Sequence, residues 1–168
     1  GLIFGAHAML IPNPRDTDNF CDLMTNFPPT RLAAVPALYD MLLANPKIND
    51  VDVSRLAVAK TGAAPMTDTT RNALEAIIGK NKVSDVFGMT ETGPCYTFHP
   101  LPAIRNGSVG LPVPHADVRI MDVETGLKPM TYGEVGEICS SGPQTMQGYL
   151  NLADESAPLR QRRKGTRC

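Results

Sequence analysis

Apolar positions change their spacing near the middle of this chain. In the first half they follow a helical period. Phe20, Leu23, Met24 and Phe27 recur at i, i+3, i+4 and i+7, which predicts a helix with one apolar face. Thr17 or Asp18 can cap it, and Pro28-Pro29 stops it. Pro36 suits the first turn of a second helix with Leu38, Met41 and Leu42 on one side, closed by Asn45-Pro46. Met66 to Ile78 predicts a third, with Leu74, Ile77 and Ile78 inward and Gly79 as its stop. Short apolar runs alternate with these helices. Leu2 to Ile11, Leu32 to Val35, Leu56 to Lys60 and Val83 to Phe87 read as buried strands. Such alternation predicts an α/β fold, a parallel sheet covered by helices.

After about Asn106 the helical period disappears. Val118 and Ile120 alternate with Arg119 and Met121, as on a half-buried strand. Glu124-Thr125-Gly126 is a turn, and Gly133 to Ser140 returns as another strand. This half is predicted to be a small antiparallel β unit. The chain therefore divides into residues 1–105, part of an α/β subdomain, 106–155, part of a β-barrel-like subdomain, and 156–168, a tail.

Composition changes this picture little. Of 168 residues 42% are hydrophobic and 20% charged, the balance of a globular chain. No apolar run is long enough to span a membrane, and no basic stretch precedes an apolar one as in a signal peptide. The chain opens Gly1-Leu2-Ile3 without Met, which reads as a trimmed or internal piece, with a cytoplasmic or organelle-interior location expected. Net charge is −1, but Arg160, Arg162, Arg163, Lys164 and Arg167 cluster at one end. Without them 11 basic residues face 17 acidic ones. No aromatics are interleaved in this tail for base stacking, so it reads as a solvated end and no nucleic-acid partner is expected. Cys21, Cys95, Cys139 and Cys168 lack the CxxC spacing of zinc or redox sites and are read as reduced packing residues. Cys95 and His99 stand four apart, but Gly93-Pro94 and Pro100 argue against the helix that would bring them together.

Two stretches offer chemistry, each at the carboxyl end of a predicted strand, where α/β sheets bind ligands. Thr61-Gly62-Ala63-Ala64-Pro65 has the small residues that let a backbone approach a flat ligand, although plain turn chemistry explains it as well. Phe87-Gly88-Met89-Thr90-Glu91-Thr92-Gly93-Pro94 combines an aromatic face, a glycine, a hydroxyl and a carboxylate. Phe87 can stack on a base, Gly88 permits close approach, Thr90 can bond a phosphate oxygen, and Glu91 can hold a phosphate-bridging Mg²⁺. The structural alternative is that Thr90 caps a short helix with Glu91 in its first turn. Ser108 to Pro114 and Gly133 to Ile138, running on to Gly142 and Gly148-Tyr149-Leu150, suit turns and bulges when taken alone.

Together, in this order, these stretches resemble the adenylate-forming superfamily of acyl-CoA synthetases, luciferases and peptide-synthetase adenylation domains. Gly62-Ala63-Ala64-Pro65 is similar to its adenine-side Gly-Gly/Ala-Ala-Pro segment, and Phe87-Gly88-Met89-Thr90-Glu91 to its Tyr-Gly-x-Thr-Glu motif. Gly133 to Leu150 resembles its Gly-Glu…Gly-Tyr segment, and Val35-Pro36 its Val-Pro before a helix. The likeness runs from about Gly1 to Glu155. Met89 looks like acyl-CoA synthetases, and Gly142 to Tyr149 looks most like medium- and long-chain fatty acyl-CoA ligases. Phe87 departs from the usual Tyr, keeping the ring and losing the hydroxyl.

The resemblance implies a two-step reaction in which a carboxylate, expected to be a fatty acid, and ATP give acyl-AMP, and CoA then takes the acyl group. It implies that Gly62, Ala63, Ala64 and Pro65 line the adenine and acyl side and that Asp85, Phe87, Gly88 and Met89 lie at the nucleotide. Thr90 would contact phosphate and Glu91 would bind Mg²⁺, the two being the expected catalytic residues. The family's phosphate loop, ribose-gripping Thr-Gly-Asp and C-terminal lysine domain have no match here, so no acyl-CoA formation is expected from these residues alone. A catalytically inactive nucleotide-binding pseudoenzyme is the alternative reading.

Overall fold

The computed structural model describes residues 5–101 and 103–156. The chain forms two compact units, Gly1–Val83 and Ser84–Cys168. The first is built as predicted from alternating elements: α1 (Thr17–Asn26), β1 (Arg31–Ala34), α2 (Pro36–Ala44), β2 (Val58–Thr61) and α3 (Asp68–Ile78). β1 and β2 are parallel, in register from Arg31 opposite Val58 to Ala34 opposite Thr61. On its other side Ala59 of β2 donates its N–H to the Lys82 carbonyl at 2.8 Å. There β3 (Val83–Phe87) starts, before running on into the second unit.

Local chemistry explains the helix limits. The Asp16 side chain accepts from the Asn19 N–H at 3.1 Å, which satisfies one open donor of α1 and places the cap one residue before Thr17. Thr67 caps α3 in the same way through the Thr70 N–H. Gly79 ends α3 at φ +97°, a conformation costly for any residue with a Cβ.

Two apolar clusters share the covering helices. Phe20, Cys21 and Met24 of α1 pack with Leu42, Ile48 and Val51. Tyr39, Leu56, Ala59, Leu74, Ile78 and Val83 form the other cluster. Tyr39 is fully buried and donates its hydroxyl to the Lys60 carbonyl at 2.9 Å, so α2 is bolted to β2 by a hydrogen bond as well as by packing. Arg71 of α3, 5% exposed, donates to the Val83 carbonyl at 3.0 Å.

The second unit holds β3, β4 (Thr97–Phe98) and β5 (Leu111–Pro112) as an antiparallel set, and β6 (Asp117–Met121) paired antiparallel with β7 (Glu137–Ser141). Gly136 leads into β7 because a Cβ there would lie 2.3 Å from the Met121 carbonyl oxygen. Asp122 organises the turn after β6. Its carboxylate accepts from the Thr125 N–H at 2.7 Å, the Thr125 hydroxyl, and the Leu127 and Lys128 N–H groups.

Several expectations change. Gly5 to Ile11 form no strand, and Leu10 is 84% exposed. An apolar run becomes a strand only where a neighbouring edge offers backbone partners, and among the described residues it meets none. The remainder of that expected strand, residues 2–4, lies outside the described residues. On α2 the inward positions are Tyr39 and Leu42, whereas Met41 is turned out. On β6 burial does not follow the expected alternation, for Val118 is half-buried and Arg119 exposed. Met121 is buried, as is Cys139 across on β7, while Ile120 and its partner Ile138 stay more than a third exposed. Cys21 and Cys95 are free thiols, as expected, but Cys139 is disulfide-bonded. No described helix is long and apolar enough to cross a membrane. The basic tail, residues 157–168, lies outside the described residues.

Candidate functional site

The first motif loop leaves β2 at its carboxyl end. Thr61, the last residue of β2, is 1% exposed, and its hydroxyl has no hydrogen-bond partner among the described residues. The chain then turns out through Gly62, Ala63, Ala64 and Pro65 and re-enters α3 at the Thr67 cap. Both ends of the loop are held. Behind the cap, Thr70 donates its hydroxyl to Asp40 of α2 at 2.7 Å. Ala63 is forced to φ +67°, a left-handed conformation that costs a non-glycine residue roughly 1–2 kcal/mol. Strain of this kind is common where a loop is shaped for a ligand. Ala63, Ala64 and Pro65 are exposed, so the loop presents backbone and small side chains.

The second loop leaves β3 in the other unit. Asp85 and Phe87 are half-buried on the strand. The Phe87 ring packs edge-to-face on buried Tyr96, with centroids 5.4 Å apart. That contact holds the ring in place. At Gly88 a Cβ would sit 2.1 Å from the Pro94 carbonyl oxygen and 2.6 Å from Cys95 Cα. The glycine is demanded by the chain's own return path, whatever a ligand adds. Met89 and Thr90 are exposed. Thr90–Thr92 make one 3-10 turn, closed at Gly93 with φ +72°. The hydroxyl that fastens this turn belongs to Thr92, which donates to the Met89 carbonyl at 3.0 Å and accepts its N–H at 3.2 Å. Thr90 makes no such cap, so its hydroxyl is not consumed by the helix end.

A distant segment clamps the same turn. Met146 donates its N–H to the Glu91 carbonyl at 2.9 Å. Gly93 lies so close to Gln144 that a Cβ would come within 2.7 Å of its carbonyl oxygen. The Tyr149 hydroxyl donates to Glu91 Oε1 at 2.5 Å. That bond and the residue's own backbone N–H hold the Glu91 carboxyl below the usual carboxylate range. The Tyr149 phenol is pushed up in turn, first by its bond to Glu91. Glu91 is thus a half-buried carboxylate, ionised at neutral pH.

Among the described residues no three His, Cys, Asp or Glu side chains cluster as a metal cage. A single carboxylate suits the way Mg²⁺ is bound at nucleotide sites, through one or two carboxylates with the remaining positions taken by phosphate oxygens and water. Glu91 with the adjacent exposed Thr90 hydroxyl fits that donor set. His99 does not belong to it. It is buried, with Nδ1 3.3 Å from the Ser84 hydroxyl and Nε2 3.0 Å from the Arg105 carbonyl, a packing role for the residue whose spacing from Cys95 had raised a metal pair.

Of the residues singled out in the sequence, Phe87 to Glu91 form one continuous rim, and Gly62 to Pro65 a second loop in its own unit. The contribution of Gln144, Met146 and Tyr149 to the Glu91 turn was not foreseen. The only signal was that Gly142 to Tyr149 resembled a family segment.

An α/β framework with loops at the carboxyl ends of its strands is the architecture in which nucleotides and small molecules bind. The chain belongs to the AMP-binding enzyme family, whose profile matches residues 1–150. It is 32% identical over 151 residues to a long-chain-fatty-acid–CoA ligase of Yersinia pestis, covering 89% of this chain and 26% of that protein. It is 33% identical over 162 residues to 4-coumarate–CoA ligase 2 of Nicotiana tabacum, covering 94% and 30%. The chain thus spans less than a third of the length of these relatives. Among solved structures it is similar to ATP-bound MatB from Rhodopseudomonas palustris, with TM-score 0.74 and 31% identity over 86% of this chain and 28% of that one. Anthranilate CoA ligase AuaEII in complex with anthranoyl-AMP shares the fold at TM-score 0.82 and 23% identity, covering 94% and 30%.

Proposed function

We propose that this chain carries part of the site of an AMP-forming acid–thiol ligase. In the first step a carboxylate oxygen bonds to the α-phosphorus of ATP as the bond to the pyrophosphate oxygen breaks, giving acyl-AMP. In the second the CoA sulfur attacks the acyl carbon, AMP leaves with the former carboxylate oxygen, and the thiol proton passes to solvent. The protein contributes positioning and charge stabilisation. Phe87, braced by Tyr96, is the base platform, with Asp85 and Gly88 beside it. Thr90 donates its hydroxyl to a phosphate oxygen. Glu91 is the Mg²⁺ ligand, and a bound Mg²⁺ neutralises charge on the departing pyrophosphate. Gly62 to Pro65 form the small-residue wall on the adenine and acyl side.

The observation that carries this reading is the Thr90–Glu91 turn, with an exposed hydroxyl that does not fasten the turn beside a carboxylate held ionised by its neighbours. A fatty acid is the proposed carboxylate. The likeness of Gly142 to Tyr149 to fatty acyl-CoA ligases and the Yersinia relative support it. The Nicotiana relative makes an aromatic acid the competing substrate to test alongside.

Calorimetric titration of the chain with ATP, with and without Mg²⁺, tests the reading. Saturable binding that Mg²⁺ strengthens is expected. Phe87→Ala should weaken it about 5- to 150-fold, the equivalent of roughly 1–3 kcal/mol of base stacking. No binding at millimolar ATP, or equal binding by Phe87→Ala, would refute it.

A further inference from the structure

Tyr149 lies 58 residues from Glu91 in sequence, yet its hydroxyl meets the one carboxylate proposed to hold Mg²⁺. Its placement is built in. The Tyr149 N–H donates to the Ser156 hydroxyl at 2.8 Å, and that hydroxyl donates to the Leu152 carbonyl, also at 2.8 Å. Ser156 is 1% exposed, so this anchor is buried although Tyr149 as a whole is 42% exposed. The contact also has company. Met146 holds the Glu91 backbone, and Gln144 abuts Gly93 at the end of the same turn. Three residues of one segment therefore grip a single turn at its carboxylate, its carbonyl and its closing glycine. Of the two carboxylate oxygens, Oε1 takes the phenol.

We propose that Tyr149 is a positioning residue for Glu91: by occupying Oε1 it fixes the carboxylate rotamer and directs Oε2 to the cation that accompanies the nucleotide phosphates. This rests on the function proposed above. A long, half-exposed glutamate would otherwise sample several rotamers, and ordering it on binding would cost part of the binding free energy. A phenol suits the task because it is rigid, donates one hydrogen and carries no charge to compete with the cation. A lysine in its place would hold the carboxylate but repel the metal.

The test uses the full chain and three variants: Tyr149→Phe, Glu91→Ala and the double mutant. Tyr149→Phe keeps the ring and removes only the hydroxyl. The quantity read first is the gain in ATP affinity that Mg²⁺ confers. Tyr149→Phe should lower this gain about three- to tenfold, by roughly the net worth of one ordinary, solvent-exposed hydrogen bond, and leave metal-free ATP binding unchanged. Glu91→Ala should abolish the gain, and the double mutant should lose no more than Glu91→Ala, because the phenol acts through the carboxylate. A gain unchanged in Tyr149→Phe, or a further loss in the double mutant, overturns the proposal. A second readout needs no nucleotide. The ¹³C relaxation order parameter of the Glu91 side chain should fall in Tyr149→Phe, and an unchanged value overturns the positioning role. If the wild-type chain binds no ATP at all, the function reading fails and the Mg²⁺ role with it. The order parameter then still decides whether Tyr149 holds Glu91.

Discussion

Gly88→Ala separates two demands on one residue, close approach of a nucleotide and close approach of the chain to itself. A Cβ at position 88 would stand 2.1 Å from the Pro94 carbonyl oxygen, 2.6 Å from Cys95 Cα and 2.7 Å from the Pro94 carbonyl carbon. All three are backbone atoms, so no side chain can swing aside. The return strand must move, and it is tied down: Cys95 N–H to the Gly93 carbonyl at 2.8 Å, and Tyr96 N–H to the Phe87 carbonyl at 3.0 Å. Inserting one methyl into packed surroundings costs about 1–3 kcal/mol, and an immovable backbone puts this site at the upper end, near 3 kcal/mol. For a chain of this size each kcal/mol moves the melting midpoint by about 2–4 °C, so a fall of roughly 6–12 °C is expected. Gly107→Ala is the control. Its φ is +76° but nothing lies within 4 Å of the added Cβ, so it should lose only the conformational term of about 1–2 kcal/mol. Differential scanning calorimetry reads both. If Gly88→Ala melts with the wild type and only loses ATP affinity, the glycine serves the ligand alone and the steric argument is wrong.

Three further predictions follow from single sites. Ala63→Gly should relieve the left-handed strain at φ +67° and raise stability by about 1 kcal/mol in a denaturant titration; no gain would mean that the loop relaxes to another conformation. Thr61→Val should be neutral or stabilising by up to about 1 kcal/mol, since it replaces a buried hydroxyl without a partner by a methyl of the same shape, and a clear loss in melting midpoint would reveal an unseen bond. Asp122 is held well below the usual carboxylate range, chiefly by the N–H groups of Thr125 and Lys128. Its folded pKa lies below its unfolded one, so its contribution is complete above the unfolded value near pH ~4 and is lost as pH falls through the folded value. Asp122→Asn should therefore flatten the acid limb of the stability–pH curve, and a curve parallel to the wild type would remove Asp122 as its cause.

How much was legible depended on the range of the interaction. The Phe20/Met24 spacing, the helix-opening Pro36 and the stop at Gly79 are local, and all appear where the pattern puts them. Capping is also local, but Asp16, Thr17 and Asp18 are chemically alike, and only the geometry selects Asp16. β6 shows the limit of a period-two pattern. It says that residues alternate, not which positions are covered, and on β6 the buried one is Met121, at its end.

The sequence by itself determined the α/β order of the first unit, the strand-end location of both motif loops, and the family. Each follows from spacing along the chain or from short contiguous motifs. Only the tertiary structure decided that Gly5 to Ile11 meet no strand among the described residues, that Gly88 is required by Pro94 and Cys95, and that Thr92 rather than Thr90 fastens the turn. It alone brought Gln144, Met146 and Tyr149 onto Glu91. Those choices depend on which backbones and side chains meet across tens of residues, and a periodicity carries no information about that.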